Sequence, residues 1–178
     1  MTNAKVIIPR KVYNPVYRTH LDNMAGLQIY YGGSSSGKSV FIAQRHIRDV
    51  MRGGRDFLVC RQVARTLQKS VVHEITKVIE AWGVSRLFSI NKTDGTITCE
   101  NGHQIMFVGL DDTEKLKSIT PQKGVITDIW VEEATETEYP SLKQLEKRLR
   151  GGRDRAGRGA DDPAGDRRGA DRGGNADH

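Results

Sequence analysis

A chain of 178 residues, 37 % apolar and 28 % charged, can build one domain with a core but not two large ones. Its formal charge of +6 favours polyanionic partners without requiring one. With no run of 18 apolar residues and no signal-peptide pattern, neither a membrane-spanning helix nor secretion is expected, and the cytoplasm is the expected compartment. Cys60 and Cys99 sit in apolar, strand-like runs and read as buried free thiols.

In chain order, residues 1–25 carry Pro9 and Pro15 and read as extended. Leu27-Gln28-Ile29-Tyr30-Tyr31 has the composition of a buried strand. A Gly/Ser loop follows. A helix then repeats Val40, Ala43, Ile47, Val50 and Met51 at three- and four-residue steps and stops at Gly53-Gly54. Phe57–Cys60 is a second buried strand. Val63, Leu67, Val71, Ile75, Val78 and Trp82 predict a long amphipathic helix ended by Gly83. Between 85 and 109, Thr93-Asp94-Gly95-Thr96 and Asn101-Gly102 are hairpin signals, and Ile105–Val108 is an apolar central strand. Val125-Ile126 and Ile129-Trp130-Val131 make the next strand. A last helix sets Tyr139, Leu142, Leu145 and Leu149 on one side. Strands alternating with helices predict an α/β fold with a mainly parallel sheet flanked by helices, and the hairpin near residue 100 an insertion or antiparallel edge.

Residues 1–150 read as the globular part. Residues 151–178 hold eight Gly, six Arg, six Asp and five Ala, with no Val, Leu, Ile or aromatic residue. Such a tail has no apolar surface to offset its ordering entropy and is expected to be disordered. Two readings stay open, an arginine-rich arm touching nucleic acid and a stretch in a shifted reading frame. The matching Arg and Asp counts favour the second.

Gly32-Gly33-Ser34-Ser35-Ser36-Gly37-Lys38-Ser39 fits the phosphate-loop pattern G-x-x-x-x-G-K-[ST]. Glycines let backbone N–H groups turn inward around phosphate oxygens. The following helix offers its N-terminal dipole. Lys38 can reach the β- and γ-phosphates of ATP, and the Ser39 hydroxyl can ligate Mg²⁺. A Ser/Gly linker is the bland alternative; the flanking strand and helix patterns argue against it.

The apolar run Ile129–Val131 ends in Glu132-Glu133. Adjacent acids at a strand's carboxyl end diverge beside a phosphate loop, which suits Glu132 as the metal acid and Glu133 as the base that orients water. The alternatives are an acidic helix start and Asp128 as the metal acid, which would then lie inside the apolar strand rather than at its end.

The order Tyr31–Ser39, Leu58-Val59-Cys60-Arg61, Phe107–Asp112 with Lys115–Ser118, Trp130–Ala134 and Arg148-Leu149-Arg150 resembles the large subunit of tailed-phage terminases, in the branch also found in defective prophages. The resemblance spans roughly residues 15–150. It implies a P-loop NTPase fold of the additional-strand, catalytic-glutamate type that binds ATP and Mg²⁺. By position it puts Gly32, Gly33, Ser34, Ser35, Ser36, Gly37, Lys38 and Ser39 on the phosphates, Ser39 and Glu132 on the metal, and Glu133 and Lys38 in catalysis. Implied partners are double-stranded DNA, the portal ring, the terminase small subunit and further copies of the chain. Many relatives carry an Arg at the position of Ser34 or Ser35, so a transition-state arginine would come from elsewhere. The pattern stops after Arg150, so the expectation is a C-terminally truncated ATPase domain without the nuclease domain. A P-loop kinase and a nucleotide- or DNA-binding remnant without turnover remain as alternatives.

Overall fold

The computed structural model describes residues 6–157. Two short 3-10 turns, Arg10–Val12 and Pro15–His20, replace the extended start expected from Pro9 and Pro15. The second is built from Asn14, whose side chain accepts from the Val16 N–H, and from Pro15 in its first turn.

Helix α1 (Lys38–Arg52) ends where Gly53 and Gly54 take φ of 85° and 79°. Strand β1 (Phe57–Arg61) follows, then α2 (Ala64–Leu67) and α3 (His73–Ala81). The single helix predicted from Val63 to Trp82 is interrupted between these two by a π-helical stretch, Gln68–Val72. Strands β2 (Phe88–Asn91), β3 (Thr96–Cys99) and β4 (Gln104–Gly109) form the antiparallel meander signalled by the two hairpin turns. Helix α4 (Thr113–Ser118) is capped by Asp112, whose side chain accepts from the Lys115 N–H. Strand β5 (Asp128–Val131) is shorter than predicted, because Val125-Ile126 lies outside it. Helix α5 (Tyr139–Gly157) runs through the compositional boundary at residue 150; the rest of the expected tail, 158–178, lies outside the described residues.

The sheet order is β2-β3-β4-β1-β5, with β4, β1 and β5 parallel. The sheet is therefore mixed, with three parallel strands and, on one flank, the antiparallel hairpin expected near residue 100. β1 and β4 read as apolar runs because both of their faces are covered. Phe57, Val59, Ile105, Phe107 and Trp130 face α1 and α3 through Ala43, Ile47, Val50, Ile75 and Ile79. Leu58, Cys60, Met106 and Val108 face the other way, onto Leu116, Ile126 and Leu145. Cys60 and Cys99 are buried free thiols, as expected. On α1 the assignment shifts by one residue: Val40 is exposed, and Phe41 is buried among Tyr13, Tyr17, Leu21 and Tyr30.

The strand expected at 27–31 joins no ladder. Its exposure alternates as in a strand, with Leu27, Ile29 and Tyr31 at 80 %, 74 % and 89 % and Gln28 and Tyr30 half-buried. No strand among the described residues lies beside it, so side chains hold it to α1 instead. Arg45, itself buried, donates to the Asn23 carbonyl, to Gln28 Oε1 at 2.6 Å and to the Tyr30 hydroxyl at 3.4 Å.

Candidate active site

The parallel strands β1, β4 and β5 end together at Arg61, Gly109 and Val131, and the phosphate loop meets the sheet at that edge. Gly32 at φ 146° opens the loop, and Gly37 at φ 80° closes it as the N-cap of α1. Ser35 also has a positive φ, 63°, a conformation that costs a non-glycine residue on the order of 1 kcal/mol. The Lys38 ammonium donates to the Gly32 carbonyl at 2.8 Å, the Gly33 carbonyl at 3.0 Å and Ser36 Oγ at 3.1 Å, so the cation lies in the concavity of its own loop.

Ser39 and Glu132, 93 residues apart in sequence, meet here: Ser39 Oγ donates to Glu132 Oε1 at 3.1 Å. The Glu132 N–H is fixed by the Cys60 carbonyl at 2.8 Å, which extends the β1–β5 ladder by one residue. Burial pushes the Glu132 carboxyl above its ordinary range. The Ser39 hydroxyl opposes this, the Glu133 charge adds to it, and the nearby Arg61 guanidinium lowers it. Glu133 sits at φ 50°, ψ 53° and is exposed. This left-handed residue breaks the strand direction. It leads into the 3-10 turn Ala134–Glu136, closed by the Glu136 N–H on the Glu133 carbonyl at 2.9 Å.

Asp128 belongs elsewhere. It starts β5, at the opposite edge from Ser39, and is held by Arg55 Nε at 3.0 Å, a second Arg55 nitrogen at 2.5 Å and Thr127 Oγ1 at 2.7 Å. That carboxylate is occupied by a structural pair, whereas Glu132 meets Ser39 at the end of the loop. Arg61 ends β1 at the site edge and pairs with Glu136 at 3.4 Å. Among the described residues no cluster of three or more His, Cys, Asp or Glu side chains could hold a metal ion. A hydroxyl next to one carboxylate is nonetheless a hard-oxygen pair that suits Mg²⁺, which keeps most of its water.

The N-terminal turn completes the loop's surroundings, and reading residues 1–25 as extended missed it. Tyr17 donates its hydroxyl to the Ser36 carbonyl at 3.2 Å and stacks on Phe41, with centroids 5.0 Å apart. The available signal was Asn14-Pro15, a helix-start pair just before an aromatic residue.

The profile of the phage terminase large subunit family matches residues 25–159. The chain belongs to that family. It is 32 % identical over 141 residues to the PBSX phage terminase large subunit of Bacillus subtilis (strain 168), covering 79 % of this chain and 32 % of that protein. Similarity to the terminase large subunit of Bacillus phage SPP1 is 35 % over 106 residues, 59 % of this chain and 25 % of that one. The chain thus spans about a third or less of the terminase relatives it matches. Its fold resembles the large terminase of a thermophilic bacteriophage, with a TM-score of 0.53 and 16 % identity over 66 % of this chain and 29 % of that one. A structure of that terminase in complex with ADP gives a TM-score of 0.50 at the same identity and coverage. Among the described residues of this family member, no helix is long and apolar enough to cross a membrane.

Proposed function

We propose that residues 1–150 are an ATP-binding and ATP-hydrolysing motor domain of a terminase large subunit, which powers packaging of double-stranded DNA into procapsids. The observation that carries this reading is the 3.1 Å contact between Ser39 and Glu132. It joins a phosphate loop to a strand-end acid pair, the two halves of a nucleotide-hydrolysing site. The family supplies the DNA substrate and the expected partners: portal ring, small subunit and further copies of the chain, in the host cytoplasm.

In this reading the backbone N–H groups of Gly32–Ser39 and the amino end of α1 receive the phosphates. The Lys38 ammonium exchanges the Gly32 and Gly33 carbonyls for β- and γ-phosphate oxygens, over a distance its flexible stem can span. The Ser39 hydroxyl and the Glu132 carboxylate would hold Mg²⁺, which would supply neutralisation of phosphate charge. Glu133, exposed just beyond the strand end, orients the attacking water and accepts its proton. With Ser34 and Ser35 in the loop, an arginine that stabilises the transition state would come from outside it.

A second reading, nucleotide binding without turnover, is favoured by one observation. Leu27–Tyr31 leads into the loop from outside the sheet, so side chains rather than a ladder set the loop's position. Mg²⁺-dependent ATP hydrolysis by the purified chain, with and without double-stranded DNA, separates the two. Turnover that Glu133→Gln abolishes and DNA stimulates supports the motor. Binding of MgATP that needs Lys38, without turnover, supports the second reading. Turnover unchanged in Glu133→Gln rejects the proposed base.

A further inference from the structure

We propose that Tyr17 is a positioning residue of the phosphate loop: its hydroxyl fixes the Ser36–Gly37 peptide so that the Gly37 N–H is presented to bound phosphate. The inference rests on the nucleotide reading of the loop and goes beyond it in naming a residue outside the motif. The C=O and N–H of a planar trans peptide point to opposite sides. The chain has no cis peptide among the described residues. Holding the Ser36 carbonyl toward Tyr17, at 3.2 Å, therefore turns the Gly37 N–H away from Tyr17. That N–H has no backbone or side-chain acceptor among the described residues, and it belongs to the residue that N-caps α1. A free donor with a fixed direction at the amino end of a 15-residue helix is what an anion requires.

The anchor is itself rigid. Asn14 Oδ1 accepts from the Val16 N–H at 3.1 Å, Pro15 occupies the first position of the turn, and the Tyr17 N–H returns to the Asn14 carbonyl at 3.0 Å. The Tyr17 ring is clamped on Phe41, in the first turn of α1, with an interplanar angle of 18°. The turn also fills the space beside the left-handed corner of the loop. A Cβ on Gly37 would meet Asn14 Nδ2 at 3.5 Å and Tyr17 Cε2 at 4.0 Å. The hydroxyl thus reaches Ser36 from a ring with little freedom left to lose on binding.

Tyr17→Phe tests this, because it keeps the ring, the stack and the turn and removes one O–H. Dissociation constants of MgATP, MgGTP and magnesium tripolyphosphate are measured for the full chain and the variant, with far-UV circular dichroism as the check on folding. The expected result is a loss of roughly three- to tenfold, the worth of one hydrogen bond, of equal size for all three ligands. In hydrolysis the same factor appears in KM while kcat stays within about twofold, since the chemistry at Glu133 is untouched. Unchanged affinities overturn the assignment. A loss seen with ATP but absent with tripolyphosphate also overturns it, because Tyr17 would then act on the base. If the wild-type chain binds no MgATP, the nucleotide reading fails and takes this assignment with it. If the wild type binds and Tyr17→Phe binds equally well, only the assignment fails.

Discussion

Replacing His46 by leucine should remove a large part of the acid sensitivity of this fold. His46 lies on α1 with its ring 4.1 Å from Phe57 and 5.3 Å from Trp130, between centroids. It is buried, and neither ring nitrogen has a hydrogen-bond partner, although the Ile42 carbonyl is near enough to favour the protonated ring slightly. Burial lowers its pKa from 6.5 to about 3, and Arg45 and Arg55 push the same way. The folded state therefore holds the ring neutral while the unfolded chain takes up a proton below pH 6.5. Stability is fully present above 6.5 and falls with pH until the folded value is reached. At about 1.4 kcal/mol per pH unit, the wild type loses roughly 2 kcal/mol between pH 7 and pH 5 through this residue alone. That is a sizeable fraction of a stability of about 5–15 kcal/mol. Urea unfolding followed by Trp fluorescence at pH 7, 6 and 5 measures it, and the wild-type minus His46→Leu difference cancels the other titrating groups. At pH 7 the variant should lie within about 1 kcal/mol of the wild type, since leucine leaves no polar atom unpaired. Parallel pH dependence in the two proteins would refute the reasoning.

Three further outcomes follow from the geometry. Asp128→Asn breaks the Arg55 pair; with both side chains about a quarter exposed the cost should be about 1–2 kcal/mol, while the Mg²⁺ dependence of nucleotide binding stays unchanged. A shifted Mg²⁺ dependence would return Asp128 to the metal site. Gly109→Ala places a Cβ 2.1 Å from Asp111 Oδ1 and 2.5 Å from the Ala64 backbone nitrogen, so thermal unfolding should show a loss of about 3 kcal/mol. Finally, because burial raises the Glu132 carboxyl, MgATP affinity should fall on acidification at a pH above the ordinary carboxylate range. Titration calorimetry of Glu132→Gln should show weak binding without that acid limb.

The parts of this molecule legible in sequence are those whose physics is local. The phosphate loop announces itself through glycine spacing, and β1 and β4 through apolar runs that only a doubly covered strand tolerates. Asn101-Gly102 gives the turn between β3 and β4, where Gly102 takes φ 89°. Side-chain partners across long separations were not legible. Glu132 is favoured over Asp128 by its place at the end of one apolar run, but the pairing of Arg55 with Asp128, which marks Asp128 as a structural carboxylate, is a tertiary contact that the run does not announce. The misreading of 27–31 has the same origin. Its composition is that of a buried strand, but a strand is defined by a ladder, and composition does not supply the neighbour. The π-helical stretch Gln68–Val72 also escaped, because one extra residue per turn barely changes the apolar repeat.

That missing ladder gives the charged face of α1 a specific task. Three arginines and three aspartates form one chain of contacts. Arg48 reaches the Leu21 carbonyl and Asp22, and Arg45 reaches Asn23, Gln28 and Tyr30. Asp49 gathers Arg48 at 2.7 Å and Arg55 at 2.8 Å, and Arg55 closes on Asp128 at the start of β5. The segment entering the phosphate loop is thereby tied, through α1, to the strand that ends in Glu132. Asp49 is the node, buried and facing three guanidinium groups. Removing its charge strands those cations in a poorly solvated region, so Asp49→Asn should cost about 3 kcal/mol, more than Asp128→Asn. It should also weaken MgATP binding although residue 49 lies ten positions beyond Ser39. Urea unfolding and calorimetry on the same sample test both halves. A variant that loses stability but binds MgATP with wild-type affinity would show that the loop holds its shape without the network behind it.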